Sequence, residues 1–240
     1  MTQNKTALVT GGDKGLGYEM VSQLATRGYI VWMGSRDLEL GQAAAARLAS
    51  SGAVRVLKLD VLDADGIKGA ARAVAAETDH LDVLINNAGI APPKDGKASE
   101  ADLDEVRAIF ETNVFGALHV TQAFLPLLRK SAAGKILMIS SGMGSLSRLV
   151  DPSSGLDRWP KTGYSASKAA LNAITIAFAN ELRDTPIRVN AINPGFVATD
   201  INDNLGVLTP AQGVRRAIEL ATMEDGPTGG FFNDSGIEPW

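Results

Sequence analysis

The 240-residue sequence contains no cysteine, which excludes disulfides and thiolate metal sites. Histidine is scarce as well. His80 and His119 are too few and too far apart to suggest a metal centre, so no metal is expected. Aromatic residues make up 5% of the chain, and no apolar run approaches the ~20 residues that a membrane span requires. Positive charge is in deficit: 23 Lys+Arg stand against 27 Asp+Glu, for a net charge of −4 and a pI near 5.3. The chain therefore lacks the basic face that nucleic acid or an acidic membrane would need, and neither partner is expected. Its first residues, MTQNKTALVTGG, pass into a strand-like run with no cationic segment, apolar core and small-residue cleavage site. A cytoplasmic location is the resulting expectation.

What is present is an ordinary globular composition, 45% hydrophobic and 21% charged, in a chain long enough to bury a sizeable core. Short β-branched or apolar runs recur at 6–10 (TALVT), 29–34 (YIVWMG), 54–60 (VRVLKLD), 81–87 (LDVLINN), 134–140 (GKILMIS), 187–193 (IRVNAIN) and 229–232 (GGFF). Between them lie stretches of helical spacing or composition at 17–28, 42–51, 66–77, 101–130 and 164–184. The strand runs are apolar almost throughout instead of alternating, as in strands covered on both faces of a parallel sheet. Right-handed crossovers then put helices on both sides. The fold class that follows is α/β, a doubly wound parallel sheet of about seven strands of the Rossmann type. With no linker, repeat or charge block, residues 1–240 read as a single domain.

The first strand run leads through Thr10-Gly11-Gly12-Asp13-Lys14-Gly15-Leu16-Gly17 into a helix start. Glycines there let backbone N–H groups approach a pyrophosphate, whose charge sits at the positive end of the following helix. The end of the second strand run decides which dinucleotide fits. Nineteen residues past Gly17 (36 − 17) stands Arg36, preceded by Ser35, where an acid would bond a ribose 2′-hydroxyl. That acid is missing. Arg36 suits a 2′-phosphate and Lys14 adds a second positive charge, so NADPH/NADP is the expected cofactor.

Further on, GYSASK at 163–168 sets Tyr164 four positions ahead of Lys168, one turn apart on the same face of a helix. Alone, such a pair is compatible with a solvated surface. A free phenol titrates near ~10, and an adjacent ammonium favours phenolate, so Lys168 is expected to tune Tyr164 for proton transfer.

These segments occur with Asp60 at the end of the third strand run, NNAG at 86–89, TNVFG at 112–116, ISSGMG at 139–144 and NPGFVATD at 193–200. In that order, from Lys5 to Trp240, the sequence resembles the classical short-chain dehydrogenases/reductases. The resemblance implies a catalytic tetrad of Asn113, Ser141, Tyr164 and Lys168, with Asn113 anchoring a water that leads to the lysine. Ser140 competes with Ser141; the latter is preferred because it falls just past a strand run, at the carboxyl edge where open parallel sheets bind ligands. For the cofactor, the resemblance implies Gly11, Asp13, Lys14, Gly15, Leu16 and Gly17 in the turn, Arg36 beyond the second strand, and Asp60 and Val61 at the adenine. Asn87, Ala88 and Gly89 would shape the groove. Tyr164, Lys168, Pro194, Gly195, Val197 and Thr199 complete the set, Thr199 bonding the nicotinamide carboxamide. The implied reaction passes hydride from nicotinamide C4 to a carbonyl carbon while Tyr164 donates a proton to the oxygen and Ser141 holds it. Oxidation of a secondary alcohol or sugar would run the same parts backwards. A nonenzymatic dinucleotide sensor would be favoured only by a broken tetrad.

Two features resemble the carbonyl-reductase-like branch of the family. Ser141 and Tyr164 are separated by 23 positions (164 − 141), longer than the common spacing, and the chain ends GPTGGFFNDSGIEPW. The expected partner is a small-molecule carbonyl or alcohol. Loop 145–163 is expected to cover the substrate, and its place before the Tyr164 helix leaves a homo-oligomer open. Met143, Leu146, Leu149, Trp159, Phe196, Ile201 and Leu205 flank the motifs, as pocket or as core.

Overall fold

Strand and helix alternate as the apolar runs require. The structure, a computed structural model, describes residues 5–92 and 94–240. Its first half comprises β1 (Thr6–Thr10), α1 (Gly15–Thr26), β2 (Ile30–Ser35), α2 (Leu38–Ala46), β3 (Val54–Lys58), α3 (Ala64–Glu77) and β4 (Val83–Asn86). The second half continues with α4 (Leu103–Phe110), α5 (Ala117–Leu128), β5 (Lys135–Ile139), α6 (Leu146–Leu149), α7 (Thr162–Glu181) and β6 (Arg188–Ile192). It closes with α8 (Pro210–Gly213), α9 (Arg215–Thr222), β7 (Phe231–Asn233) and β8 (Gly236–Ile237). One sheet contains all of these strands, in the order β3-β2-β1-β4-β5-β6-β7-β8. All neighbours are parallel except β7 and β8, which pair antiparallel with Phe232 opposite Ile237. Each of the seven apolar runs forms a strand. The eighth strand is an addition to them, because two residues carry no readable apolar pattern.

Alternate residues of each central strand serve opposite faces, which is why the runs are apolar without a break. Leu8, Leu84, Ile136 and Met138 join Ile67, Val74, Phe124, Leu128 and Leu171 from α3, α5 and α7 on one side. Ala7, Val9, Val83, Ile85 and Leu137 join Met20, Leu24, Ile218 and Leu220 from α1 and α9 on the other. Burial of this apolar surface is the main term holding the layers together.

The continuous helix expected over 101–130 is interrupted. A π turn at Glu111–Gly116 separates α4 from α5, and a Cβ on Gly116 would lie 2.9 Å from Val61 Cβ. Close packing on Val61 thus explains the glycine in TNVFG. Such π turns are rare and concentrate at functional sites.

Candidate active site

The strand order reverses between β1 and β4, and in an open α/β sheet that reversal opens a crevice at the carboxyl ends. Two loops line it and are laced together. Thr10 Oγ1 accepts from the backbone N–H groups of Asn87 and Ala88, each at 2.9 Å, while Asn87 Nδ2 donates to the carbonyls of Thr10 at 2.9 Å and Gly11 at 3.0 Å. Gly11 (φ +59°) and Gly15 (φ +53°) occupy left-handed backbone, and a Cβ on Gly17 would sit 2.0 Å from Gly11 O. Among the described residues no protein acceptor meets the N–H groups of Gly15, Leu16 and Gly17. A cradle that only glycine permits, with open donors at the start of a 12-residue helix, fits a pyrophosphate. Asp13 stands half-buried in the same turn.

Around this cradle the remaining cofactor candidates fall on three sides. Thr199 is buried, and its Cγ2 would lie 3.5 Å from a Cβ on Gly15, so the NPGFVATD segment forms the facing wall. In that segment Gly195 takes φ +80°, half-buried Pro194 precedes it, and buried Val197 bridges to Leu208. Asp60 accepts from Leu62 N at 3.0 Å, and Val61 is buried against Gly116. Exposed Arg36 borders a recess of about 420 Å³ together with Asp37, Leu38, Glu39 and Lys58. Lys58 is an addition to the sequence candidates, since it looks like any strand-end cation until β3 is paired beside β2, with Ser35 opposite Lys58. Lys14 reaches Asp200 at 3.1 Å, an exposed ion pair that a 2′-phosphate would have to compete with.

Across the crevice, α7 lies against the turn that follows β5. A Cβ on Gly144 would be 2.8 Å from the Lys168 backbone, and Asn172 Nδ2 donates to Gly144 O at 3.0 Å. This close approach brings Ser141, Tyr164 and Lys168 together. Ser140 Oγ donates to Asn172 Oδ1 at 2.6 Å inside the core, whereas Ser141 hydrogen-bonds the Tyr164 phenol. Lys168 is buried, donates through Nζ to Ile139 O at 2.7 Å, and lies 5.6 Å from the centroid of the Tyr164 ring. Asn113 is buried in the π turn and is held from both ends: its Oδ1 accepts from Ile90 N at 2.8 Å, and its Nδ2 donates to Ile90 O at 2.9 Å and to Ser167 Oγ at 3.1 Å. Both amide protons of Asn113 are therefore engaged by protein, and Gly89 sits beside Asn113 Oδ1 and Lys168 Nζ.

Burial dominates the electrostatics of the pair. Burial pushes the Tyr164 phenol above its ordinary value, and the hydrogen bond from Ser141 offsets this only in part. Burial also lowers Lys168 to about 8. Loss of water destabilises both charged forms. The phenol is thus proton-loaded at neutral pH.

Three side chains absent from the motifs bear on the site. Asp95 is buried and accepts from Gly163 N and Tyr164 N. Arg148, on α6, donates to buried Glu238 at 2.6 Å, while Ser147 N donates to Trp240 O at 3.0 Å. Loop 145–163 is thereby tied to the C-terminal residues, whose Trp240 stacks on Phe231 at 5.3 Å. None of these pairings has a sequence signal, because the partners lie far apart along the chain. Of the residues flanking the motifs, Leu146, Trp159, Phe196, Ile201 and Leu205 are exposed and Met143 and Leu149 half-buried, so none belongs to the buried core. Trp159 and Phe196 meet with ring centroids 6.4 Å apart.

Known proteins share this fold. The model of the short chain dehydrogenase family matches residues 5–207, and the chain belongs to that family. It is 35% identical to short-chain dehydrogenase anuI of Penicillium roqueforti, over 90% of this chain and 87% of that one. It is 29% identical to the (+)-neomenthol dehydrogenase of Capsicum annuum, over 96% of each. Among solved structures, the NADPH-bound carbonyl reductase from chicken fatty liver superposes with a TM-score of 0.87 at 28% identity, covering 99% of this chain and 100% of that one. No described helix is long and apolar enough to cross a membrane, and no described group of acidic or histidine residues is arranged to hold a metal ion.

Proposed function

We propose that the protein is an NADPH-dependent carbonyl reductase. The observation that carries this reading is the half-buried Tyr164 with the buried Lys168 Nζ 5.6 Å from its ring centroid, facing a glycine cradle across the crevice. Bound NADPH supplies a hydride from nicotinamide C4 to the carbonyl carbon. Tyr164 then donates its phenolic proton to the carbonyl oxygen, and Ser141 holds that oxygen through its hydroxyl. Lys168, fixed by Ile139 O, places its ammonium where it lowers the cost of the phenolate left behind. The Gly15–Gly17 donors would hold the pyrophosphate and Arg36 the 2′-phosphate, while Thr199 would bond the carboxamide. The likeness to an NADPH-bound carbonyl reductase supports the choice of cofactor and direction. The test is a panel of ketones, aldehydes and quinones followed by NADPH absorbance. Turnover of at least one carbonyl with NADPH is expected; reaction only in the presence of alcohols and NADP would reverse the assignment.

A further inference from the structure

The first turn of α7 presents four backbone donors, and each has a partner. Ser165 N donates to Lys161 O at 2.8 Å within the turn itself. Thr162 N donates to Gly96 O at 3.1 Å, Gly163 N to Asp95 Oδ1 at 2.8 Å, and Tyr164 N to Asp95 Oδ2 at 2.8 Å. Helices are usually capped by the residue just before them, but Lys161 occupies that position here, and an ammonium can only donate. The cap comes instead from 68 and 69 residues earlier in the chain. Asp95 is buried, and both its oxygens are aimed at the helix start, where the macrodipole favours a carboxylate. Thr162 Oγ1 also donates to Gly96 O at 2.8 Å, and Lys161 Nζ to Pro92 O at 3.1 Å, so the same loop grips the residues leading up to the tyrosine. Gly163 is pressed from the other side, since a Cβ there would lie 2.9 Å from Ile109 Cδ1.

We infer that Asp95 is a positioning residue for Tyr164: it caps α7 from a distant loop and so sets the placement of the phenol against Ser141 and Lys168. The inference rests on the proposed role of Tyr164 as proton donor. Asp95 touches neither substrate nor reacting atoms; it acts through the peptide N–H of the tyrosine. Replacement by alanine leaves two buried donors without partners and frees the turn that carries the phenol. Replacement by asparagine keeps the shape and one acceptor but turns an amide N–H₂ toward the second donor.

The experiment compares Asp95→Ala, Asp95→Asn, Asp102→Asn and Tyr164→Phe with wild type, on one carbonyl that the wild type reduces. Asp102 is an exposed cap of α4, accepting from Asp104 N and Glu105 N, and serves as a control for capping alone. Single-turnover NADPH oxidation is followed in H₂O and D₂O, with NADPH affinity measured by fluorescence. A misplacement of about 1 Å costs ~10²-fold, so Asp95→Ala is expected to slow turnover ~10–100-fold. Its solvent isotope effect should rise as proton delivery becomes limiting, and NADPH Kd should stay within about twofold. Asp95→Asn should recover part of the rate, and Asp102→Asn, which keeps its cap, should leave rate, isotope effect and NADPH Kd unchanged. If the alanine variant does not fold, the asparagine variant decides by the same readouts. A wild-type rate and isotope effect in the Asp95 variants, or a loss that only follows NADPH Kd, overturns the inference while an inactive Tyr164→Phe leaves the proton-donor reading standing. A fully active Tyr164→Phe removes both.

Discussion

Helices α1 and α7 begin on opposite sides of the same crevice and solve the same problem in opposite ways. Both starts carry backbone donors that the helix itself cannot satisfy. At α1 a glycine turn leaves the helix start open, and no described acceptor meets Gly15, Leu16 or Gly17. At α7 the donors are all engaged, two of them by the buried carboxylate of Asp95. The first arrangement leaves the positive end of a helix for an anion to fill; the second fills it from within the chain and makes the helix a fixed mount for Tyr164. An open start suits a ligand that comes and goes, and a filled one suits a reacting group that must stay in place.

The strongest way to break this comparison is to remove the group that α7 mounts. Tyr164→Phe should lower kcat by ~10²–10⁴-fold, the usual contribution of general acid catalysis, with NADPH affinity nearly unchanged. Turnover within a few-fold of wild type would show that the mount holds nothing of chemical use.

On the α1 side the matching change concerns the far end of the same ligand. Arg36→Leu with Ser35→Asp removes an attraction for a 2′-phosphate and adds a repulsion. A hydrogen bond to a charged group is worth ~1.5–3 kcal/mol, and Arg36 is exposed, so the low end applies. Each ~1.4 kcal/mol is tenfold, so the loss of Arg36 alone should shift the NADPH/NADH ratio of kcat/KM by about tenfold, and the added repulsion should enlarge it. An unchanged ratio in the double variant would place the discrimination elsewhere, with Lys58 in the same recess as the next residue to replace.

A smaller effect sharpens the contrast at the cradle itself. In Gly15→Ala the added Cβ meets Thr199 only at 3.5 Å, so the cost is the left-handed backbone alone, roughly 1–2 kcal/mol. NADPH affinity should fall about tenfold with kcat preserved, as titration of cofactor fluorescence will show. A loss of kcat with affinity intact would mean that the cradle serves chemistry and not binding.

The smallest effect lies in the pH dependence of stability without ligand. Lys168 titrates near 8 in the folded chain and near its ordinary 10.5 when unfolded, so between those values the unfolded state binds more protons. Its contribution to stability therefore rises with pH across that window. The raised Tyr164 acts in the other direction above pH 10, where the unfolded phenol ionises first. Urea midpoints between pH 8 and 10 should show the rise in wild type and a smaller one in Lys168→Met, where Lys135, also lowered by burial, still contributes.

Much of the fold and of the site is legible in short stretches of the chain. The seven apolar runs, the glycine turn and the Tyr164–Lys168 spacing are local patterns, and each appears in its expected place because it satisfies a local geometric demand. The helix expected over 101–130 is broken because nothing in ETNVFG distinguishes a π turn from an α-helix; Gly116 against Val61 is a contact between residues 55 apart in number (116 − 61). The burial that raises Tyr164 and lowers Lys168 is hidden for a related reason. Adjacency of an ammonium can be read from spacing, but the depth of burial depends on what packs around both groups.

The sequence by itself determined the α/β class, the strand count but for two residues, the glycine turn between β1 and α1 and the Tyr164–Lys168 spacing, all of them properties of periodicity and residue type. Only the tertiary structure decided which serine faces the phenol, that the tyrosine keeps its proton, and that Asp95 and the Arg148–Glu238 pair brace the site. Those outcomes depend on distances between side chains far apart along the chain, and such distances exist only once the layers have packed.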